Sequence, residues 1–284
     1  MGREYYHGTY HDKKDMKYLF SDWEKIGRTL KGKFIYLFLD YDGTLTPIAD
    51  TPHMAVTPRR MRALLFRLAN MPNCKIAIVS GRQLNDIKKR IRLKKIVYAG
   101  NHGLEISGPK IKFTAHLPAQ YKRALQKIKA KLATELSAIK GAIVEDKEFS
   151  LGVHYRLVDK KDVARVKNAF YAATLLYEVR NVIVVKTGKM ALEIRPQVAW
   201  DKGKVVLWLL GRQLFATRNK KTKVLPIYIG DDTTDEDAFG ALRNKGMTIY
   251  VGKLGKSKAR FYLKNPEEVA RFLEMILIDI KADT

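Results

Sequence analysis

The chain has 284 residues, 46% of them hydrophobic, and its 54 Lys and Arg against 29 Asp and Glu leave a formal charge of +25. That apolar content can bury a core and excludes intrinsic disorder, while a single cysteine, Cys74, excludes a disulfide framework or a Cys-rich zinc site and fits a reducing cytoplasm. The longest apolar runs, Phe34–Leu39 and Val205–Leu210, are far too short to span a bilayer, and residues 1–33 hold no secretory signal, so a cytoplasmic protein without membrane contact is expected.

The positive charge is not gathered in a tail. Residues 115–191 carry 15 basic and 7 acidic residues, close to their share of the whole. Solvated helix faces account for much of it, since Lys122, Lys127, Lys129 and Lys131 sit between apolar helical positions. Attraction of an anionic small molecule accounts for the rest, and nucleic acid is not expected as a partner.

A helical lead-in is expected around residues 13–31, where Met16, Leu19, Phe20, Trp23 and Ile26 recur at helical spacing. Phe34–Leu39 reads as a strand buried on both faces, the pattern of a central parallel strand. Thr57 and Pro58 fit the cap and first position of a helix with Met61, Leu64, Leu65 and Leu68 on one face. Strand Ile76–Val79, helix Leu84–Ile91 and strand Ile96–Ala99 continue a βαβ rhythm, which predicts a parallel sheet covered by helices.

The rhythm breaks after about residue 114. A helix over 121–139 turns Tyr121, Leu125, Ile128, Leu132, Leu136 and Ile139 inward. Strands Ala142–Lys147 and Ser150–Arg156 follow, then a helix capped by Asp159 that buries Val163, Val166, Phe170 and Leu175. A hairpin of Val182–Lys186 and Lys189–Arg195, turning at Thr187-Gly188, completes an α+β unit expected at 115–191. Alternation then resumes with helix 202–210, strand Val224–Ile229, a helix from Asp235, strand Thr248–Val251 and a last helix capped by Asn265. The fold class is α/β: a Rossmann-like parallel sheet core from 1–114 and 192–284 with an inserted α+β domain.

Asp40-Tyr41-Asp42-Gly43-Thr44-Leu45 follows directly on the buried strand Phe34–Leu39. Open α/β sheets bind ligands at such carboxyl ends, and Gly43-Thr44 can turn backbone N–H groups toward an anion. Asp42-Gly43 alone would be an ordinary turn signal. Gly230-Asp231-Asp232-Thr233-Thr234-Asp235 places a second acidic cluster at the end of another buried-type strand. Carboxylates gathered there repel unless a cation joins them, and hard oxygen donors beside phosphate suit Mg2+; Asp232 and Asp235 also fit, in part, as helix caps. Ser80-Gly81-Arg82 offers a hydroxyl and backbone N–H groups at a helix start. Lys202-Gly203 opens a helix with a cation able to neutralise a nucleophile and phosphoryl oxygens.

In that order, Asp40/Asp42, Ser80, Lys202 and Asp231 resemble the four motifs of the haloacid dehalogenase superfamily, with an insert of its larger α+β cap type. Within it the chain is similar to the trehalose-6-phosphate phosphatase family through Leu39–Ile48, Val79–Arg82, Gly100–Glu105, Val144–Lys147, His154–Arg156, Gly188–Pro196 and Gly230–Asp237. The resemblance runs from about residue 34 to residue 252. It implies Mg2+-dependent hydrolysis of trehalose 6-phosphate, with Asp40 as nucleophile and Asp42 as acid and base. Ser80 and Lys202 would hold the phosphoryl oxygens. The metal would sit on Asp40, the Asp42 carbonyl and Asp231, with Asp232 and Asp235 behind them. Gly81, Arg82, Asn101, His102, Glu145, Lys147, Arg156, Lys189 and Glu193 join Ser80 as expected substrate contacts. A small-molecule sugar phosphate is then the partner, and a monomer is expected. The alternatives are a sugar phosphatase of sucrose-phosphate or glycosyl-phosphoglycerate type, or a non-catalytic sugar-phosphate sensor.

Strand alternation bears on the inserted domain independently. Glu145 and Lys147 share one face of their strand, as do Ser150, His154 and Arg156, and again Lys189, Glu193 and Arg195. By spacing this polar face fits an ordinary solvent face; with the resemblance it fits a polyol-binding face lowered over the phosphate site. His102 fits either a turn histidine bonded to backbone or a substrate contact.

Overall fold

A computed structural model of the chain describes residues 16–218 and 223–282. Part of the expected lead-in, residues 13–15, lies outside the described residues. The rest is only partly helical: β1 (Lys17–Tyr18) and a 3-10 turn at Leu19–Asp22 precede α1 (Trp23–Leu30). Lys17 and Tyr18 pair in parallel with Phe261 and Tyr262, so their backbone serves a sheet edge instead of a helix.

From there β2 (Phe34–Leu39), α2 (Arg59–Ala69), β3 (Cys74–Val79), α3 (Leu84–Ile91) and β4 (Val97–Gly100) alternate as the pattern predicts. β2 is buried on both faces, with Ile35, Leu37 and Leu39 in one apolar cluster and Tyr36 and Phe38 in another. Thr57 does not cap α2. Its hydroxyl pairs with the Tyr41 hydroxyl at 3.0 Å and donates to the Arg90 carbonyl at 3.3 Å, which leaves the extended Pro58 as the residue before the helix. A short antiparallel hairpin, β5 (Glu105–Gly108) and β6 (Ile111–Thr114), escapes the sequence pattern because its four-residue strands are half exposed and broken by Pro109-Lys110.

The inserted unit comprises α4 (Ala119–Glu135), β7 (Ile143–Asp146), β8 (Leu151–His154), α5 (Val163–Val179), β9 (Ile183–Gly188) and β10 (Ala191–Pro196). Its antiparallel sheet runs β7-β8-β10-β9 and has its own apolar core around Leu132, Leu151, Phe170 and Ile194. The boundary expected after residue 191 falls inside this sheet, where Ala191–Pro196 pairs with Ile183–Gly188. The hairpin turns at Lys189-Met190, with Met190 at φ 62°, and Thr187-Gly188 stay in β9. α5 points Val166, Phe170, Ala173 and Thr174 inward, and one further residue of rotation carries Leu175 out to 61% exposure. Asp159 accepts from the Lys161 amide at 3.0 Å, and Asp162 stands before the helix in its place.

α6 (Lys202–Thr217), β11 (Val224–Gly230), α7 (Glu236–Leu242), β12 (Met247–Val251), β13 (Phe261–Leu263) and α8 (Pro266–Ala282) return to the larger sheet. Its order is β1-β13-β12-β11-β2-β3-β4-β5-β6, parallel from β1 to β4. α1, α2, α3 and α8 pack on one face, α6 and α7 on the other. The Asn265 side chain accepts from the Glu268 amide at the start of α8, as its cap spacing predicts. No helix among the described residues is long and apolar enough to cross a membrane. The order of strands reverses beside β2, toward β3 on one side and β11 on the other, and a crevice opens at the carboxyl ends of such strands.

Candidate active site

β2 delivers Asp40 and β11 delivers Asp231 to that crevice, both almost fully buried. The chain can bring them together only because residue 43 is glycine: its φ is +83°, and a Cβ there would lie 2.1 Å from the Asp231 carboxylate. Oxygens of Asp40, Asp231 and Asp235 lie within 4.8 Å of one another. At the start of α6, where Asp201 caps the helix by accepting from the Lys204 amide, Lys202 Nζ donates to Asp40 and to Asp235, each at 2.7 Å.

Burial pushes the Asp40 carboxyl well above the usual range against the pull of Lys202, with Asp235 and Asp231 adding to the rise. Burial likewise raises Asp231, to about 6, although Lys189 opposes it. Asp235 is already saturated, accepting from Lys202, from the Tyr228 hydroxyl at 2.6 Å, and from the amides of Asp231 and Asp232 at 3.0 and 2.9 Å. It therefore positions its neighbours, and Asp40 and Asp231 are left as the oxygen donors for a divalent cation. This hard donor set, crowded and short of positive charge, fits such an ion. Asp232 serves as a cap, accepting from the Thr233 amide at 2.8 Å within a capping box completed by Asp235.

Ser80 ends β3 fully buried, and the Arg82 amide donates to its Oγ at 3.2 Å. Arg82 departs from expectation. Its guanidinium donates to both Asp42 oxygens at 2.7 Å, to Asp86 at 2.9 Å and to the Pro52 carbonyl at 2.8 Å, so few of its N–H groups remain for a phosphate. Asp42 keeps 40% of its side chain exposed.

The polar face of the smaller sheet covers the crevice. Glu193 accepts from Lys147 at 2.9 Å, from Arg195, and from His102 Nε2 at 3.1 Å; Glu145 accepts from His154 Nε2 at 2.7 Å, with Lys147 at 3.9 Å. Burial alone would raise Glu193, but Lys147, Arg195 and the hydrogen bond from His102 outweigh it and hold the carboxyl well below the usual range. Burial and the nearby Arg195 push His102 down to about 3, so the ring is neutral and its Nε2–H is the donor to Glu193. The His102 ring is thus bonded to a side chain of the smaller sheet and not to backbone. It ties the larger sheet to the smaller one, in space that Gly81 leaves open, since a Cβ there would lie 2.6 Å from the imidazole. From the β9–β10 turn, Lys189 reaches across to donate to the Asp231 side chain at 2.5 Å and to its carbonyl at 2.9 Å, while Arg156 donates to the Lys189 carbonyl at 3.0 Å.

Between the two sheets lies a cavity of about 500 Å³. Asp40, Asp42, Ser80, Gly81, Arg82, His102, Glu145, Lys147, Arg156, Lys189, Glu193, Lys202, Asp231 and Asp232 all line it. Asn101 and Asp235 stand behind the wall. Asn101 donates to Glu105 at 2.9 Å and to the Lys147 carbonyl at 3.1 Å, and accepts from Ser150 at 3.3 Å. Lining residues not expected include His154, Arg195, Lys186, Asp237 and the segment 48–52. His154 and Arg195 lie on the polar face that alternation identifies; the loop 48–52 has no periodicity to reveal it. With Glu145 and Glu193 side chains only 19% and 13% exposed, this is not an ordinary solvent face.

The strand order and the acids at its carboxyl edge give the fold seen in haloacid dehalogenase-like hydrolases. A protein of that description from Bacteroides thetaiotaomicron superposes with a TM-score of 0.60 at 18% identity, over 86% of this chain and 100% of that one. A Candida albicans trehalose-6-phosphate phosphatase C-terminal domain shares the fold more closely, with a TM-score of 0.79 at 23% identity over 92% of this chain and 98% of the other. The chain belongs to the trehalose-phosphatase family, whose model matches residues 38–267, and it is accordingly a phosphatase. An Arabidopsis thaliana relative named "Probable trehalose-phosphate phosphatase D" is 39% identical over 269 residues, 89% of this chain and 70% of the relative.

The neutral His102 has a consequence for stability. Its ring takes a proton near pH 3 in the folded chain and near 6.5 when unfolded, so the unfolded state binds the proton first. Stability should fall as pH drops below about 6.5, by up to about 1.4 kcal/mol per pH unit. Denaturant midpoints measured between pH 6.5 and 5 should show this slope, and His102→Gln should flatten it; equal slopes would place the proton uptake elsewhere.

Proposed function

We propose that this chain hydrolyses trehalose 6-phosphate to trehalose and phosphate, with Mg2+ held by Asp40, Asp231 and the Asp42 backbone carbonyl. The reading rests on one juxtaposition: the Asp40–Lys202 pair and Asp42 share a cavity with Glu145, Lys147 and Glu193. The first group suits phosphoryl transfer. The second presents carboxylates that accept from sugar hydroxyls and a cation that donates to them.

Asp40 attacks phosphorus in line, and the bond from phosphorus to the sugar oxygen breaks as an aspartyl-phosphate forms. Asp42 gives a proton to the departing oxygen, then takes one from the water that cleaves the intermediate and restores Asp40. Arg82 acts through Asp42 by fixing both of its oxygens, so the carboxyl must swing out of that fork, into the cavity to which it is already exposed, to reach the leaving oxygen. Lys202 offsets the negative charge on Asp40, and with Ser80 it holds the phosphoryl oxygens. When bound, Mg2+ supplies the positive charge that offsets repulsion between the nucleophile and the phosphate. The unit spanning about 115–196 acts as a cap that closes over the sugar and excludes water.

Asp40→Asn keeps the shape and removes the nucleophile, so phosphate release should fall below about a hundredth of wild type with an unchanged melting temperature. Substantial residual turnover in a purified sample would remove Asp40 from that role. Excess chelator should stop turnover and added Mg2+ should restore it, whereas Ca2+, with its larger and looser coordination, should restore it poorly. Glu145→Gln should lower kcat/KM for trehalose 6-phosphate about tenfold, the scale of a hydrogen bond to a charged group, and should lower hydrolysis of a small aryl phosphate far less. Equal losses on both substrates would assign Glu145 to the chemistry and not to the sugar.

A further inference from the structure

Far from the crevice, at the opposite edge of the larger sheet, a second cavity of about 710 Å³ lies between the later turns of α6 and the β5–β6 turn. Three cations, Lys75, Lys110 and Arg212, line it, and no acidic residue does among the described residues. Lys75 donates only to the Gln213 side chain, at 3.1 Å, and Arg212 lies over the Trp208 ring with its guanidinium carbon 5.2 Å from the centroid. Neither cation has an ion-pair partner among the described residues. Burial and the Arg212 charge both lower the Lys75 pKa, as expected where positive charge is not neutralised.

Two further features converge here. Tyr36 is paired with Lys75 across β2 and β3, and the ammonium sits 5.3 Å from its ring centroid. The Tyr36 hydroxyl is fully buried and has no hydrogen-bond partner among the described residues. An orphaned buried donor of that kind is uncommon, although Tyr36 itself does not line the cavity. The second feature is Gly211, in the interior of α6. Glycine there weakens the helix relative to alanine, and packing does not require it, because a Cβ would meet nothing within 4 Å. Its bare backbone forms part of the cavity wall between Trp208 and Phe215, which stand one helical turn to either side, and Phe215 is 67% exposed.

We propose that this cavity is a second binding site, for a small organic phosphate that carries an aromatic ring. The phosphate is held by Lys75 and Arg212. The ring lies on the wall opened by Gly211, against Trp208 and Phe215. α6 carries Lys202 at its first residue and Arg212 three turns later, so an occupant here grips the same rigid helix that neutralises Asp40.

Adenosine monophosphate serves as the probe, titrated calorimetrically into the intact chain with inorganic phosphate as the ringless comparison. Saturable binding of the nucleotide, at least tenfold tighter than phosphate, is expected. Arg212→Ala should weaken it about tenfold or more, the scale of a charge-assisted hydrogen bond. Gly211→Leu should abolish it by filling the wall while leaving the melting temperature equal or higher, which separates a lost site from a lost fold. Both variants should turn over sugar phosphate as wild type does when no nucleotide is present. The proposal is overturned by absence of saturable binding to wild type at millimolar nucleotide, by affinity that survives both substitutions, or by nucleotide that the sugar phosphate displaces competitively.

Discussion

A lysine between two buried carboxylates is the condition on which the rest of the site depends. Asp40, Asp231 and Asp235 are drawn together by strand geometry, not by attraction, and taking carboxylates out of water is expensive unless charge and hydrogen bonds compensate. Lys202, itself buried, meets two of them at 2.7 Å. Replacing it by a neutral residue would leave like charges facing one another in a poorly hydrated space. The same requirement explains why α6 begins where it does. Its capped first turn aims the ammonium at the end of β2, and Gly203 lets that turn approach α7, since a Cβ there would lie 2.4 Å from the Asp237 carbonyl.

The cap meets the same problem by a different arrangement. Its charges form one alternating series, Arg195, Glu193, Lys147, Glu145 and His154, in which each carboxylate already has a cationic or imidazole partner. Such a series can sit half-buried above the crevice without any ligand. Groups fixed in this way discriminate among ligands, because one that lacks the matching hydroxyls disturbs the pairing without replacing it. Lys189 and His102 complete the join, each belonging to one sheet and bonding to a carboxylate of the other.

The parts of this arrangement that follow a local period were readable from the sequence. The two-sided burial of β2 follows from its unbroken apolar run, the acids from their place at the ends of β2 and β11, and the polar face of β8 and β10 from alternation. Pairings between distant segments were not. Nothing near Arg82 signals that its guanidinium meets Asp42, 40 residues earlier, or that Asn101 straps onto the Lys147 carbonyl. Boundaries also shifted where local signals were ambiguous. Thr187-Gly188 resembles a turn, yet it stays in β9, where a Cβ at Gly188 would meet nothing closer than the Ala191 carbonyl at 3.9 Å. Leu175 has the character of a core residue, but the helical angle decides its fate. β1 and β13 are too short to show a period at all.

Two brief segments join the cap to the rest of the chain, residues 115–118 and 197–201. Both are tied to the turn after β4: the Ala115 amide donates to the Leu104 carbonyl at 2.7 Å, and Trp200 Nε1 to the Gly103 carbonyl at 2.8 Å. A free run of five residues spans no more than about 18 Å at full extension, so these act as a pair of short leashes. On the proposed reading, the cap would tilt on them with little room to lift away. On that reading, a phosphomonoester too long for the cavity would not be accommodated simply by opening wider, and the chain length of the straps would act as a size filter in its own right, independent of any contact that the sugar makes.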